Sequence, residues 1–365
     1  MTVSDIPRCM STQHPDNAHW PQFAAGPQLT GEEEVKEAFY VYNTLGCTEQ
    51  MWDHEGKEVD AYVVPKLLQQ YGSFFRKKVL GRKTFLTLRV PNPERERASA
   101  KNLLEILESI PRSFDIARQF YKEDVAPIFE IILPMTTNST ELNRIWHYYR
   151  DFVAGKADRP VLAGDVTLGE WIGDFHPTTI NVIPLIEDKP SLLATDRIVE
   201  EYLQGKDVPH QRVFLARSDP AMAYGSASAV LLIKIALHRL HLLEQKLGIP
   251  MYPIVGLGSA PFRGNFKPTN VKSRLKGYPS VQTFTIQSAF KFDYPEELVR
   301  KAIAVINKTT RKAPTPIDDE QPYIELIERM AKTYSRQVEK LTPLINAVAK
   351  HVPSRRKRKL HTGLF

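Results

Sequence analysis

The sequence has 365 residues, of which 42% are hydrophobic and 25% are charged, and its formal net charge is +7 at pH 7. This balance is typical of a folded globular protein and excludes a disordered chain. No apolar run is as long as a membrane span and no signal-peptide pattern opens the chain, so we expect a cytoplasmic protein. The two cysteines, Cys9 and Cys47, exclude a disulfide framework and match no zinc motif.

The first notable stretch is CMSTQHPDN, residues 9–17, which places His14 directly before a proline. A residue before proline is pushed towards extended geometry, so this segment is predicted to be an ordered loop. The side chain of His14 can then face a site. A solvated loop histidine is the alternative interpretation.

Eight short apolar runs follow along the chain, and amphipathic segments with three- and four-residue spacing lie between them. Most of the runs are rich in β-branched or aromatic residues, which is typical of parallel strands covered on both faces. The runs are 49–56, 85–90, 127–133, 160–166, 181–188, 212–219, 252–259 and 283–289, and the clearest helical segments are 97–110, 140–155, 195–205 and 229–248.

This alternation predicts an α/β fold, a (β/α)8 TIM-type barrel with additional N- and C-terminal helices, in a single catalytic domain over residues 1–365. A doubly wound open sheet is the alternative. Against it, the first strand-to-helix turn lacks a glycine-rich dinucleotide fingerprint, and no GxxxxGK[ST] motif is present.

Polar residues gather at the predicted strand ends, where the chemistry of such barrels takes place. Each residue alone could be an ordinary strand-end residue, but together they predict a ring around one mouth. They are Asp53, Glu55, Arg89, Glu130, Asp165, Glu187, Asp188, Arg217, Asp219, Ser259, Arg263 and Gln287.

Glu130 is the first candidate metal ligand, because it lies among the apolar residues of PIFEIIL. An ionised carboxylate there is costly unless it is paired or binds a cation. A structural ion pair with an arginine is one interpretation, and a divalent cation shared with Asp219 is the other. Oxygen ligands suit Mg²⁺ or Mn²⁺ better than zinc.

The loop GLGSAPFRGNF, residues 256–266, is predicted to be a mobile anion clamp. Its glycines let backbone amides approach an anion, and Arg263 offers a planar fork of donors to phosphate or carboxylate. Ordinary turns use the same residues, so the loop alone is weak evidence. The basic run RRKRK, residues 355–359, is typical of a solvated end, and no nucleic-acid-binding motif accompanies it.

Five motifs in this order, STQHPDN, VAPIFEIILPM, RSDPAMAYG, GLGSAPFRG and TIQSAFKFDY, resemble the archaeal-type phosphoenolpyruvate carboxylases along essentially the whole chain. The resemblance implies a cytoplasmic oligomer, usually a tetramer, with Mg²⁺ or Mn²⁺ as cofactor. It also implies carboxylation of phosphoenolpyruvate by bicarbonate to oxaloacetate and phosphate, through carboxyphosphate and a metal-bound enolate. The expected partners are these two substrates, with no nucleic acid and no membrane.

The resemblance also assigns roles to residues. His14 falls on the catalytic histidine, Glu130 and Asp219 fall on the metal-binding carboxylates, and Arg89 and Arg263 fall on arginines that act on the substrate phosphate. The expected substrate-binding residues are Arg217, Gly258, Ser259, Gly264, Gln287 and Arg355.

The chain departs from the plant and bacterial branch of this family at two positions. Leu257 and Met222 replace an arginine and a lysine, which leaves bicarbonate binding open, and Arg217 could compensate. Chains of the family are expected to continue beyond HTGLF, residues 361–365, into a helical region that binds the inhibitor aspartate. That region is expected to be absent here.

Two other functions remain open from the sequence. A metal-dependent lyase or aldolase acting on a pyruvate enolate would use the same groups, and its turnover would not depend on bicarbonate. A non-catalytic metabolite-binding fragment would bind phosphoenolpyruvate without forming product.

Overall fold

The computed structural model describes residues 6–26, 29–55 and 59–352. In this part of the chain eight parallel strands form a closed barrel in chain order, which confirms the predicted fold class. The strands are β1 (Cys9–Ser11), β2 (Glu49–Asp53), β3 (Phe85–Arg89), β4 (Glu130–Leu133), β5 (Asn181–Ile186), β6 (Gln211–Ala216), β7 (Met251–Gly256) and β8 (Thr283–Ile286).

Helices lie in the connections because parallel neighbours need a crossover between them. The α-helices of the described residues are α1 (Glu32–Tyr40), α2 (Val63–Gln70), α3 (Gly72–Phe75), α4 (Ala100–Tyr121), α5 (Ser139–Tyr148), α6 (Leu168–Ile172), α7 (Lys189–Leu192), α8 (Thr195–Leu203), α9 (Ser218–Tyr224), α10 (Ser226–Leu247), α11 (Val271–Gly277), α12 (Ser288–Phe292), α13 (Glu296–Lys308) and α14 (Gln321–Ala349).

One predicted strand is wrong. Residues 160–166 form bends and turns, and Val161 and Leu162 are 61% and 65% exposed. The barrel is instead completed by β1, Cys9–Ser11, whose three residues are all buried. Three residues are too few to show a periodic pattern, so no strand was predicted here. Asp165 therefore lies in an exposed turn and not at a strand end.

The contacts divide the described residues into two compact units. The first holds residues 6–11 and 30–184, and its strands pair in a continuous parallel register from Met10↔Glu49 in β1 and β2 to Leu133↔Pro184 in β4 and β5. The second holds residues 12–26, 29 and 185–352, in which β6 and β7 pair over their full length. That the chain is one catalytic domain stays a prediction.

Helix α10 corrects the expectation that no run is long enough to cross a membrane. Among the described residues it alone passes that test by length and composition, and half of its most apolar stretch is buried inside the protein. It packs against α8, α9, α14 and β7. The ammonium of Lys234 donates to the carbonyl of Gly277 at 3.0 Å, and Arg239 forms an ion pair with Glu320 at 2.6 Å. These contacts are those of a core helix.

Candidate active site

The segment after β1, which carries His14, is bound to helix α12 in the second unit. The amide of Ser288 donates to the carbonyl of His14 at 3.2 Å, and the buried ammonium of Lys291 donates to the carbonyl of Thr12 at 2.9 Å. These bonds hold the backbone on both sides of the histidine. The loop predicted over residues 9–17 is confirmed for residues 12–17, whereas residues 9–11 form β1.

Two aspartates extend this attachment. Asp16 Oδ1 accepts a hydrogen bond from the amide of Ala289 at 2.7 Å, so a side chain of the segment binds the first turn of α12. At the other end of the helix, the carboxylate of Asp293 accepts the amides of Ala18 and His19 at 2.7–2.9 Å. The whole stretch from Thr12 to His19 is therefore fixed on one short helix.

The glycine-rich loop after β7 is a compact turn. The amide of Gly258 donates to the carbonyl of Arg263 at 2.8 Å, and the amide of Phe266 donates to the carbonyl of Gly258 at 2.7 Å. Gly264 has φ +95°, and a Cβ there would lie 2.7 Å from Leu257 Cδ2. Ser259 donates its hydroxyl to the carbonyl of Phe266 at 3.3 Å, which fixes that side chain inside the loop.

The side chain of Arg263 lies against Gln287, the residue between β8 and α12. Arg263 Nη1 donates to Gln287 Oε1 at 3.4 Å. A Cβ at Gly258 would lie only 2.1 Å from that same oxygen and 2.9 Å from Arg263 Cδ. The position requires glycine because a larger residue would displace both side chains. The structure thus brings Gly258, Arg263 and Gln287 together, as the sequence predicted.

Arg217 is placed differently from its predicted substrate-binding role. It is 3% exposed, and its guanidinium donates to the carbonyls of Phe262 and Ser226, both at 3.0 Å. Burial lowers the pKa of Arg217 from its ordinary value, and nearby Tyr278 opposes this effect. These contacts attach the glycine-rich loop to the start of α10, and direct contact of Arg217 with the substrates stays a prediction.

Two carboxylates lie just beyond the carboxyl ends of neighbouring strands in the second unit. Glu187 follows β5 directly, and Asp219 lies in the first turn of α9 after β6. The two strands pair through Leu185↔Phe214 and Ile186↔Leu215, so their ends are adjacent. Asp219 Oδ2 accepts the hydroxyl of Ser218 at 2.9 Å. Carboxylates so placed suit a hard divalent cation that keeps several waters.

Glu130 does not lie at the carboxyl end of its strand. It is the first residue of β4, pairs with Asn181 at the start of β5, and is 4% exposed. Its Oε1 accepts a hydrogen bond from Asn181 Nδ2 at 3.4 Å. The predicted run 127–133 ends at the same residue as β4, so Glu130 lies three residues before the carboxyl end of the strand in both. Its assignment as a metal ligand stays a prediction that this register does not favour.

Arg89, at the end of β3 in the first unit, is held by two acidic side chains. Its Nε and Nη2 donate to the two oxygens of Asp53, both at 2.8 Å, and Nη2 also lies 2.7 Å from Glu55 Oε2. A bidentate pair of this kind fixes the plane of the guanidinium. Asp53 and Glu55 were predicted at the end of the neighbouring strand β2, and their contact with Arg89 could not be deduced from the sequence.

The remaining predicted residues have simpler outcomes. Asp188 caps α7 by accepting the amide of Ser191 at 2.7 Å, which is a structural role. Leu257 is fully buried and Met222 is 42% exposed. Arg355 lies outside the described residues. Within residues 6–26, 29–55 and 59–352, no group of three or more histidine, cysteine or acidic side chains is arranged to hold a metal.

Sequence reasoning missed Asp16, Lys291 and Asp293. The available signal was the position of Asp16 two residues after His14, and the charged pair that flanks Phe292 in FKFD. Neither pattern shows that the two segments meet, because 273 positions of the chain separate Asp16 from Ala289.

Comparison with known proteins decides the family. A family model described as "Phosphoenolpyruvate carboxylase" matches residues 6–365. The chain belongs to the phosphoenolpyruvate carboxylase family. The predicted family and the prediction of an enzyme are thereby confirmed.

Curated relatives of this family align over nearly the whole chain. A phosphoenolpyruvate carboxylase of Methanospirillum hungatei is 59% identical over 360 residues, which cover 99% of this chain and 74% of the relative. One of Pyrococcus abyssi is 54% identical and covers 99% of this chain and 75% of the relative.

A solved structure, an HpcH/Hpal aldolase/citrate lyase family protein from Burkholderia cenocepacia, aligns with a TM-score of 0.44 and 11% identity. That alignment covers 83% of this chain and 95% of the other.

Proposed function

We propose that the chain catalyses the carboxylation of phosphoenolpyruvate by bicarbonate to give oxaloacetate and phosphate. The observation that carries the proposal is the shared support in the second unit. Helix α12 holds the His14 segment, and Gln287, which precedes this helix, contacts Arg263. A candidate base and a candidate phosphate-binding guanidinium are thus attached to one element, and the curated relatives carry the name of this activity.

Arg263 would bind the phosphate of the substrate through its planar donors. Its backbone is fixed by the Gly258 amide and its side chain by Gln287, so less conformational entropy is lost on binding. The resemblance assigns a phosphate-binding role to Arg89 as well, and Asp53 and Glu55 fix the orientation of its guanidinium. Gly258, Ser259 and Gly264 would allow backbone amides to approach the anion, as in other glycine-rich loops.

The chemistry would proceed in two steps. An oxygen of bicarbonate attacks the phosphorus, the bond from phosphorus to the enol oxygen breaks, and carboxyphosphate and the enolate of pyruvate form. His14 then accepts the proton of carboxyphosphate, phosphate leaves with the bonding electrons, and the enolate carbon adds to the released CO₂. An imidazole suits this proton transfer because its ordinary pKa lies close to neutrality. Closure of the loop 256–266 would keep water from both intermediates.

A divalent cation, Mg²⁺ or Mn²⁺, would be held by Asp219 together with Glu187 and would neutralise negative charge on the reacting groups. The support is the adjacency of the β5 and β6 ends and the oxygen-only donors. The resemblance assigns the second ligand to Glu130, whereas the adjacent strand ends favour Glu187.

The metal assignment is tested by titrating Mn²⁺ into three variants and following free Mn²⁺ by electron paramagnetic resonance. Asp219→Asn and Glu187→Gln should each weaken binding at least tenfold, a loss typical of a removed charged ligand. Glu130→Gln should bind as the parent does. Weak Mn²⁺ binding by Glu130→Gln together with unchanged binding by Glu187→Gln would instead identify Glu130 as the second metal ligand.

The activity is tested by coupling oxaloacetate formation to malate dehydrogenase, with and without bicarbonate and Mg²⁺. His14→Asn should lower oxaloacetate formation about 10²- to 10⁴-fold, the usual contribution of a general base, and should leave some bicarbonate-dependent release of pyruvate. Turnover that ignores bicarbonate would favour the lyase alternative. Substrate binding without any product would favour the non-catalytic alternative.

We also propose a cytoplasmic location and assembly into a tetramer, both from the resemblance to this family. Light scattering on the purified chain measures the assembly directly. A monomer at micromolar concentration would contradict it.

A further inference from the structure

Asp16 is a half-buried acid whose two oxygens have different surroundings. Oδ1 accepts the amide of Ala289 at 2.7 Å, whereas Oδ2 is buried and accepts no hydrogen bond from the described residues. A buried carboxylate oxygen that accepts no hydrogen bond costs free energy, and such oxygens are rare in native proteins. The bond from Ala289 satisfies Oδ1, but nothing in this contact satisfies Oδ2.

The glycine-rich loop supplies two of the groups that act on the Asp16 carboxyl. Burial raises the pKa of Asp16, and the amide of Ala289, the guanidinium of Arg263 and the amide of Ser259 oppose that effect. Arg263 and Ser259 both belong to the loop that would close on the substrate. Asp16 is therefore in electrostatic contact with two segments at once, the one that carries His14 and the one that carries Arg263.

Asp293 can be compared with Asp16, because both carboxylates join the segment around His14 to α12. Its carboxylate accepts three hydrogen bonds of 2.7–2.9 Å from the amides of Ala18 and His19, with both oxygens used. It attaches the same segment to the carboxyl end of α12. A carboxylate that only attaches this segment to α12 can therefore use both of its oxygens. The unused Oδ2 of Asp16 indicates that this residue has a second role.

We propose that Asp16 is a positioning residue that couples the two parts of the site: Oδ1 fixes the His14 segment on α12, and Oδ2 accepts donors from Ser259 and Arg263 when the glycine-rich loop closes on the substrate. This inference rests on the proposed function, because it assumes that His14 and Arg263 act in one reaction. It makes the position of the base depend on loop closure, so that carboxyphosphate is deprotonated only in a closed site.

The test compares Asp16→Asn with the matched variant Asp293→Asn in the full chain. Asparagine keeps an oxygen for the Ala289 amide but removes the charge that faces Arg263. Because burial raises the pKa of Asp16, its charged form is unfavourable in the folded protein, so Asp16→Asn should not lower the melting temperature at pH 7. Asp293→Asn should lower it, because two amide donors lose a charged acceptor.

In the functional measurements we expect Asp16→Asn, and not Asp293→Asn, to differ from the parent. Asp16→Asn should lower kcat/KM for phosphoenolpyruvate at least tenfold and should raise the fraction of phosphoenolpyruvate that ends as pyruvate, since a 1 Å misplacement can cost about 10²-fold. Asp293→Asn should keep the partition between oxaloacetate and pyruvate. Hydrogen exchange of residues 256–266 should slow on addition of phosphoenolpyruvate in the parent and in Asp293→Asn, and not in Asp16→Asn.

Unchanged partition and unchanged loop protection in Asp16→Asn would overturn the proposal. So would a fall in melting temperature equal to that of Asp293→Asn, since Asp16 would then be an ordinary anchor. If the parent forms no oxaloacetate, the proposed function fails on its own assay. The exchange experiment still decides the coupling in that case, because it uses binding of phosphoenolpyruvate and not turnover.

Discussion

At the scale of single residues, the same side chain does different work in different surroundings. Asp16 and Asp293 both bind the segment around His14 to α12, but Asp293 uses both oxygens and Asp16 uses one. Burial raises the pKa of Asp16, so its stabilising contribution is complete below its unfolded pKa of 3.8 and is lost as pH rises through the higher folded value. At neutral pH this acid costs stability, which is typical of a functional residue.

Gly258 allows a sharper prediction. A Cβ at this position would lie 2.1 Å from Gln287 Oε1 and 2.9 Å from Arg263 Cδ, whereas a Cβ at Gly277 would meet nothing within 4 Å. We expect Gly258→Ala to displace Arg263 and to lower kcat/KM for oxaloacetate formation by about tenfold or more. Gly277→Ala is the control and should keep full activity with an equal or higher melting temperature. Parent-like kinetics in Gly258→Ala would show that the contact with Gln287 is unimportant.

At the scale of elements, strand length decided what the sequence could show. β2, β3, β5, β6, β7 and β8 lie inside the predicted runs or differ from them by a residue or two, because each contains four or more consecutive buried residues. β1 has three residues, and the false strand at 160–166 owes its apolar character to side chains that face solvent. Composition therefore identified apolar segments, and pairing partners decided which became strands.

The false strand yields a prediction about stability. Leu162 is 65% exposed and Leu133, in β4, is fully buried. We expect Leu162→Ala to change the free energy of unfolding by less than about 0.5 kcal/mol, as for other surface substitutions. Leu133→Ala should cost about 2–5 kcal/mol, because it leaves a cavity in the core. Urea denaturation measures both, and equal losses would mean that residues 160–166 pack in a core after all.

At the scale of the whole molecule, closure of the barrel turns distant segments into neighbours. Thr12 donates its amide to the carbonyl of Ile286 at 3.0 Å, and this contact continues into the attachment of the His14 segment to α12. The His14 segment is thus held beside the end of β8 by contacts between residues far apart in the chain. A local motif could not have supplied this arrangement.

Helix α10 gives a prediction at this scale. Its length and composition suit a membrane span, yet half of its most apolar stretch is buried and its Lys234 and Arg239 bind partners within the protein. Charged side chains such as those of Lys234 and Arg239 are costly in lipid. We therefore expect the chain to remain in the supernatant after high-speed centrifugation of lysed cells. Recovery in a carbonate-resistant membrane pellet would contradict the core-helix interpretation.

The sequence by itself determined the barrel class, the family, and most residues of the glycine-rich loop and its partner Gln287. It could do so because strand and helix periods and short ordered motifs are local properties of the chain. Only the tertiary structure decided that Glu130 begins its strand, that Arg217 binds the backbone of the glycine-rich loop and that Asp16 binds the first turn of α12. These facts depend on register, burial and contacts between residues far apart in the chain, which no local pattern contains.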